Sequence, residues 1–177
     1  IHELRGQHIE CLGTTRDILD LTDEHSVHRL IIKYRPDIVI HCAAYTAVDK
    51  AEEEIELCRK VNVDGTRYVV DACKEINAKL MYISTDYVFP GTGTNFYQIN
   101  DEKGPKNVYG QSKLDGENIV ERYLDKYFIV RISWVFGVHG NNFVKTMLRL
   151  GETHGTLRVV GDQIGSPTYT EELSKLL

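Results

Sequence analysis

A chain of 177 residues with 42% hydrophobic and 27% charged residues has the makeup of an ordinary globular domain built on one substantial core. Its formal net charge of −5, with no run of Lys and Arg, disfavours capture of nucleic acid or an anionic membrane and leaves small-molecule chemistry as the expectation. No apolar run is long enough to span a bilayer and no signal-peptide pattern opens the chain, so a cytoplasmic protein is expected.

The chain opens on Ile-His-Glu-Leu-Arg-Gly, which reads as the end of a helix closing at Gly6, and it stops at Ser-Lys-Leu-Leu inside a second helical pattern; both ends are expected to be cuts. His8 to Leu12 reads as a strand. Thr22 or Asp23 can cap a helix to about Tyr34, with Val27, Leu30, Ile31 and Tyr34 on one face, and Pro36 stops it. The nearly continuous apolar run from Asp37 to Ala44 predicts a strand buried on both faces of a parallel sheet. The acidic stretch from Glu52 suits the first turn of a long helical region reaching about Asn77. Leu80 to Ser84 reads as a buried strand, Phe89 to about Pro105 as a loop, and Asn107 to Leu124 as a helix. Phe128 to Ile132 is strand-like, Asn142 to Leu150 helical, Leu157 to Val160 strand-like, and Asp162 to Thr170 a loop with Gly165 and Pro167. The four cysteines, Cys11, Cys42, Cys58 and Cys73, lack C-x-x-C spacing and lie in apolar settings, so reduced, buried thiols are expected.

Strands alternating with helices predict one α/β domain, a doubly wound parallel sheet of Rossmann type, in which ligands bind outside the carboxyl ends of the strands. Ala43 to Asp49, Ser84 to Phe89, and Ser133 with Trp134 fall at such places. Tyr109 and Lys113 are spaced to share one face of a helix, where an ammonium beside a phenol is expected to lower the phenol's pKa. Such a pair can deliver a proton to a carbonyl oxygen while hydride arrives from a nicotinamide. By spacing alone, Lys113 could equally form a surface ion pair with Glu117. Thr85, at a strand's carboxyl end, can stabilise charge on that oxygen, or simply belong to a Ser-Thr-Asp turn and helix cap.

Several segments together resemble the extended short-chain dehydrogenase/reductases, and within them the dTDP-4-dehydrorhamnose reductase subfamily. They are His41 to Glu52, Ser84-Thr-Asp-Tyr-Val-Phe89, Tyr109-Gly-Gln-Ser-Lys113, Arg131-Ile-Ser-Trp134, Gly140 to Met147 and Asp162-Gln-Ile-Gly-Ser-Pro-Thr168. The resemblance implies a catalytic set of Thr85, Tyr109 and Lys113, with Tyr109 as the acid and Lys113 tuning it and holding the nicotinamide ribose. It implies that Asp86 and Trp134 contact a sugar nucleotide, that Ala44, Tyr45 and Thr46 line the cofactor, that Thr14 ends the second strand, and that Asp20 and Leu21 lie near the adenine. The plain alternative for Trp134 is a core aromatic. The activity implied is reduction of the 4-keto group of dTDP-4-dehydro-L-rhamnose to dTDP-L-rhamnose for surface polysaccharide. Similar sugar-nucleotide dehydratases carry Thr-Asp-Glu where this chain has Thr85-Asp86-Tyr87, which favours plain reduction.

The sequence departs from the family at its amino end, where no strand with a Gly-x-x-Gly-x-x-Gly turn is present to cradle a pyrophosphate. The family's carboxyl-terminal substrate portion is missing beyond Leu177, leaving a truncated dinucleotide-binding domain with the start of the substrate portion. Arg16 follows the second strand and could meet a 2′-phosphate, so NADPH is expected ahead of NADH. The resemblance also admits a homodimer and Mg at an oligomer contact, with no ligands assignable. Two other readings stay open: an epimerase or dehydratase of the same superfamily, and a dinucleotide-binding regulatory subunit resembling that of methionine adenosyltransferase.

Overall fold

Backbone polar groups are satisfied when strands find partners, and in this chain two separate sheets do so. The computed structural model describes residues 1–177 as two compact units, one formed by Gly13–Arg131 and the other by Ile1–Leu12 with Ile132–Leu177.

In the larger unit, helix α2 (Glu24–Tyr34) begins where the Asp23 carboxylate accepts from His25 N at 3.1 Å and ends at Arg35, which turns left-handed at φ 44°. Strand β1 (Ile38–His41) pairs in parallel with β2 (Lys79–Thr85), Val39 opposite Leu80 and His41 opposite Tyr82. Strand β3 (Tyr127–Ile132) lies on the other side of β2, giving the order β1-β2-β3. Between β1 and β2 run α3 (Val48–Ala51), α4 (Ile55–Arg59), a π turn at Lys60–Asp64 and α5 (Gly65–Ile76); α6 (Val108–Tyr123) joins β2 to β3. Residues of α2, α5 and α6, among them Val27, Ile31, Val69, Val70 and Val120, pack against the sheet face that carries Val39, Leu80, Tyr82 and Ile129. The α/β alternation is therefore the predicted one, and this unit supplies one of the two helical layers of a doubly wound sheet. The opposite face carries Ile38 and Phe128, both exposed.

Four details correct the sequence reading. His8 to Leu12 forms no strand, because no other strand lies alongside it; Ile9 N instead bonds Leu4 O at the end of α1 (His2–Gly6), and His8 takes φ 60°. β1 is covered on one face only, because helices pack against the face that carries Val39 and leave Ile38 on the other exposed. The helical region begins at Val48 and breaks at Glu52–Glu54, where Glu52 accepts from Val108 N at 2.8 Å and Glu54 from the Tyr45 hydroxyl at 2.5 Å. All four cysteines are free thiols, with Cys58 and Cys73 buried as expected, Cys11 only partly covered, and Cys42 exposed because it lies just past β1.

In the smaller unit, the short strands β4 (Val135–Phe136) and β5 (Thr168–Tyr169) pair in parallel, and Phe136 stacks on Tyr169 at 5.3 Å. Asn142 caps α7 (Phe143–Thr153), accepting from Lys145 N at 3.1 Å, and α8 (Thr170–Leu176) follows β5 directly. Leu157 to Val160 is not a strand: it has no ladder partner, and Val159 and Val160 are exposed.

The contact between α6 and β2 leaves no room for a side chain at Gly116, where a Cβ would overlap the buried Tyr82 hydroxyl. That hydroxyl has no hydrogen-bond partner. Gly116→Ala should destabilise the protein by about 1–3 kcal/mol despite alanine's better helix propensity. Tyr82→Phe removes the atom that the new methyl meets, so the two changes should couple favourably in a double-mutant cycle of urea unfolding; strictly additive effects would contradict this packing.

Candidate active site

The carboxyl ends of β1 and β2 bring together two of the three segments that the sequence singled out, Ala43 to Asp49 and Ser84 to Phe89. After β2, Thr85 opens a 3₁₀ turn (Asp86–Val88), its hydroxyl donating to Asp86 Oδ1 at 3.0 Å and accepting from Tyr87 N at 3.2 Å. The plain reading of Thr85 as a turn and cap residue is thus realised, and Thr85 is also buried. Burial raises the Asp86 pKa, with the Thr85 hydrogen bond pulling against it.

Asn107 caps α6 by accepting from Gly110 N at 2.7 Å, which sets Tyr109 in the helix's first turn. The Tyr109 ring meets Tyr87 edge-on at 5.6 Å. Gly110 is required here: a Cβ would run into the Tyr87 carbonyl, so any larger residue moves α6, and Tyr109 with it, off the 3₁₀ turn. The Thr85 hydroxyl stands near enough to the Tyr109 phenol to favour its ionised form, but burial outweighs it and the phenol's pKa is raised. This corrects the expectation of a lowered value. Lys113 is not what governs the phenol, because its ammonium is turned elsewhere: Nζ donates to the Ile83 carbonyl at 2.8 Å and lies 4.0 Å over the Tyr82 ring. Burial lowers the Lys113 pKa to about 8, and the Glu117 carboxylate opposes that shift.

Glu117 is not the surface partner of Lys113 that spacing allowed. It is buried and held by Arg131, whose Nε and Nη2 reach its two oxygens at 2.8 and 2.7 Å. Arg131 also donates to the Ile99 carbonyl at 3.2 Å and lies over Phe89, so one side chain ties α6 and β3 to the loop after β2.

After β1, Ala44 and Tyr45 are half-buried and Thr46 exposed. The backbone at Tyr45 is bracketed by Asn62: Tyr45 N donates to Oδ1 at 2.7 Å and Nδ2 donates to Tyr45 O at 3.1 Å. Asn62 Nδ2 also donates to Ser112 Oγ on α6, at 2.9 Å. The Tyr45 hydroxyl is engaged by Glu54, which pushes its pKa up to about 12. His41, buried against Tyr82 and 3.2 Å from Thr66 Oγ1, is kept neutral by burial, with a pKa of about 3.

Other expected site residues share no hydrogen bond with this group. Thr14 is exposed. Asp20 accepts from Thr22 N and Oγ1 at 2.9 and 2.8 Å, and these bonds lower its pKa. The Leu21 side chain belongs to the core, which leaves only its backbone to a ligand. No hydrogen bond joins the three to Thr85, Tyr109 or Lys113. In the smaller unit, Trp134 is no core aromatic: it is 46% exposed and takes φ 46°. No group of three or more His, Cys, Asp or Glu side chains converges to hold a metal ion, and the Mg admitted by resemblance gains no support. Asn62 is not singled out by the sequence, and Gly110, Glu117, Arg131 and Gly165, though they fall in named segments, carry no expected role in shaping the site. Asn62 left one signal, an amide between apolar neighbours in a helical stretch.

The family model described as RmlD substrate binding domain matches residues 1–177. The chain belongs to that family. It is 42% identical over 173 residues to the spore coat polysaccharide biosynthesis protein SpsK of Bacillus subtilis, covering 98% of this chain and 61% of the relative. It is 44% identical to a dTDP-4-dehydrorhamnose reductase of Streptomyces griseus, covering 98% of this chain and 57% of the relative. The crystal structure of dTDP-4-dehydrorhamnose reductase from Bacillus anthracis in complex with NADP superposes with a TM-score of 0.96 at 46% identity, covering 99% of this chain and 62% of that one. This RmlD-family chain therefore spans about three fifths of the length of the relatives that it matches.

In the RmlD-family chain the Lys113 ammonium carries a linked stability. Its pKa is about 8 when folded against an ordinary 10.5, so between those values the unfolded state holds more protons and stability rises with pH. Relative to Lys113→Met, the wild-type protein should gain up to about 3 kcal/mol of unfolding free energy across that window. Urea-unfolding curves whose difference stays constant through it would contradict a buried Lys113.

Proposed function

We propose that the protein reduces the 4-keto group of dTDP-4-dehydro-L-rhamnose with NADPH, giving dTDP-L-rhamnose for surface polysaccharide, and that Gly13–Arg131 carries the proton-transfer residues. The observation that carries this reading is the placement of Tyr109 against the 3₁₀ turn that Thr85 opens at the carboxyl end of β2, its ring 5.6 Å from that of Tyr87, with Lys113 of the same helix anchored on Ile83, two residues before Thr85. The reductase names of close relatives and the NADP complex of one of them support the substrate and the cofactor.

The donor set fits the nicotinamide half of the cofactor. Lys113 spends one ammonium proton on the Ile83 carbonyl and has further donors for ribose hydroxyls. Bound there, the reduced nicotinamide would supply hydride to the ketone carbon. The carbonyl oxygen then takes a proton from Tyr109. Burial keeps that phenol protonated at neutral pH, the state needed to give a proton to a nascent alkoxide. Thr85 supplies a second hydrogen bond to the oxygen when its proton turns from Asp86 to the substrate. Ala44, Tyr45 and Thr46 would line the nicotinamide side, their backbone stiffened by Asn62, while Thr14, Asp20 and the Leu21 backbone would serve the adenine side. Asp86 and Trp134 would meet the sugar nucleotide. The exposed Arg16 would meet a 2′-phosphate.

With the nucleotide sugar, the purified full-length protein should oxidise NADPH mole for mole, and Tyr109→Phe should lose at least about a hundredfold in kcat with its melting temperature unchanged. Tight NADPH binding without consumption, or an active Tyr109→Phe, would overturn the reading. Arg16→Ala should raise the KM for NADPH and leave that for NADH unchanged; equal effects on both would remove Arg16 from cofactor selection.

A further inference from the structure

Trp134 is held in a conformation that a bulky side chain rarely adopts, with φ 46°. Such a conformation persists only where the surroundings over-determine it. Here the surroundings are the loop before β5. Ser133 Oγ donates to the Ser166 carbonyl at 2.6 Å, Ser133 N donates to Thr168 Oγ1 at 3.4 Å, and Thr168 N donates to the Trp134 carbonyl at 3.4 Å. Immediately before Ser166 comes Gly165. A Cβ placed there would stand 2.7 Å from Trp134 Cε2, 2.8 Å from Cζ2 and 3.1 Å from Cδ2, closer than carbon atoms pack. The φ of Gly165 is not in the left-handed range, so glycine is needed for the space and not for the turn. Residue 165 thus abuts the indole with no space for even a methyl group between them, yet 46% of Trp134 stays open to solvent.

We propose that Gly165 is the positioning residue for Trp134, its bare backbone forming the shelf that holds the indole as a platform for the sugar nucleotide. The proposal rests on the functional reading above for its ligand, and on the geometry of the smaller unit for the shelf. An indole packed against backbone and still half exposed suits stacking by a planar base or the apolar face of a sugar ring.

Trp134 is the single tryptophan of these 177 residues, and the difference between the emission of the wild-type protein and that of Trp134→Phe isolates its signal in the full-length protein. Gly165→Ala should shift the emission to longer wavelength and increase quenching by acrylamide. It should also raise the KM for dTDP-4-dehydrorhamnose by about tenfold while the KM for NADPH stays constant. Gly161→Ala is the control in the same loop, since nothing lies within 4 Å of a Cβ there, and it should change none of these. On a Trp134→Phe background, Gly165→Ala should have little further effect on KM. Should Gly165→Ala fail to fold, recovery of folding by Trp134→Phe would carry the same conclusion, and no recovery would refute it. Unchanged emission and quenching in Gly165→Ala would overturn the shelf. Changed fluorescence with an unchanged KM for the nucleotide sugar would overturn the platform, and the reductase reading would still be judged by NADPH consumption.

Discussion

Helix α6 can lie directly on β2 only because Gly110 and Gly116 leave it bare where the Tyr87 carbonyl and the Tyr82 hydroxyl come through. The close approach decides where the chemistry-bearing side chains go. One helical turn separates Tyr109 from Lys113, and with the helix pressed onto the strand, Lys113 reaches the Ile83 carbonyl while Tyr109 stands against the 3₁₀ turn that Thr85 begins. A helix displaced by one methyl group would carry both away together. The same packing withdraws the phenol and the ammonium from water, raising one pKa and lowering the other. A proton donor that stays protonated, next to a lysine near its titration point, follows from burial and not from the attraction between the two residues.

Burying charge this way needs compensation, and Glu117 with Arg131 supplies part of it. The carboxylate opposes the loss of charge on Lys113. Being buried itself, it would be costly without the two-pronged guanidinium. Arg131 extends the arrangement to the Ile99 carbonyl and the Phe89 ring, and Phe89 stacks on Tyr97 at 4.3 Å. The long loop after β2 is thereby fastened to the helix that bears Tyr109. Asn62 does the equivalent for the segment after β1, bracketing the Tyr45 backbone and reaching Ser112 on α6. Both segments at the carboxyl ends of the strands are thus braced against one helix. Asn62 can do so from within a π turn, a local widening often found at functional sites.

Local chemistry made much of this legible in the sequence. Asp23 caps the helix that its residue type suggested, the helix expected from about Asn107 begins at Val108, and the β2 and β3 runs pair as their apolar patterns implied. His8 to Leu12 has the same apolar look and forms no strand, because a strand exists only beside a partner, and pattern does not say whether the chain provides one. The motifs after β1 and β2 do fall at the carboxyl ends of those strands, while the Tyr109 shift runs opposite to the expected direction, since spacing places two side chains on one face and does not show where their tips point. Glu117 looked like a solvated charge for the same reason: its partner comes from β3, and no local pattern announces a contact across the sheet. Gly165 could not be singled out by spacing, because its importance lies in what it leaves room for.

The account turns on hydride and proton reaching one carbonyl group, and isotopic labelling tests that most directly. NADPH carrying deuterium at the transferred position is mixed with dTDP-4-dehydrorhamnose and the full-length protein, and the sugar product is read by NMR. The account predicts one deuterium at C4 of dTDP-L-rhamnose for each NADPH consumed. Deuterium retained in the cofactor, or a product whose new carbon-bound hydrogen comes from solvent, would contradict it and point to epimerase or elimination chemistry instead.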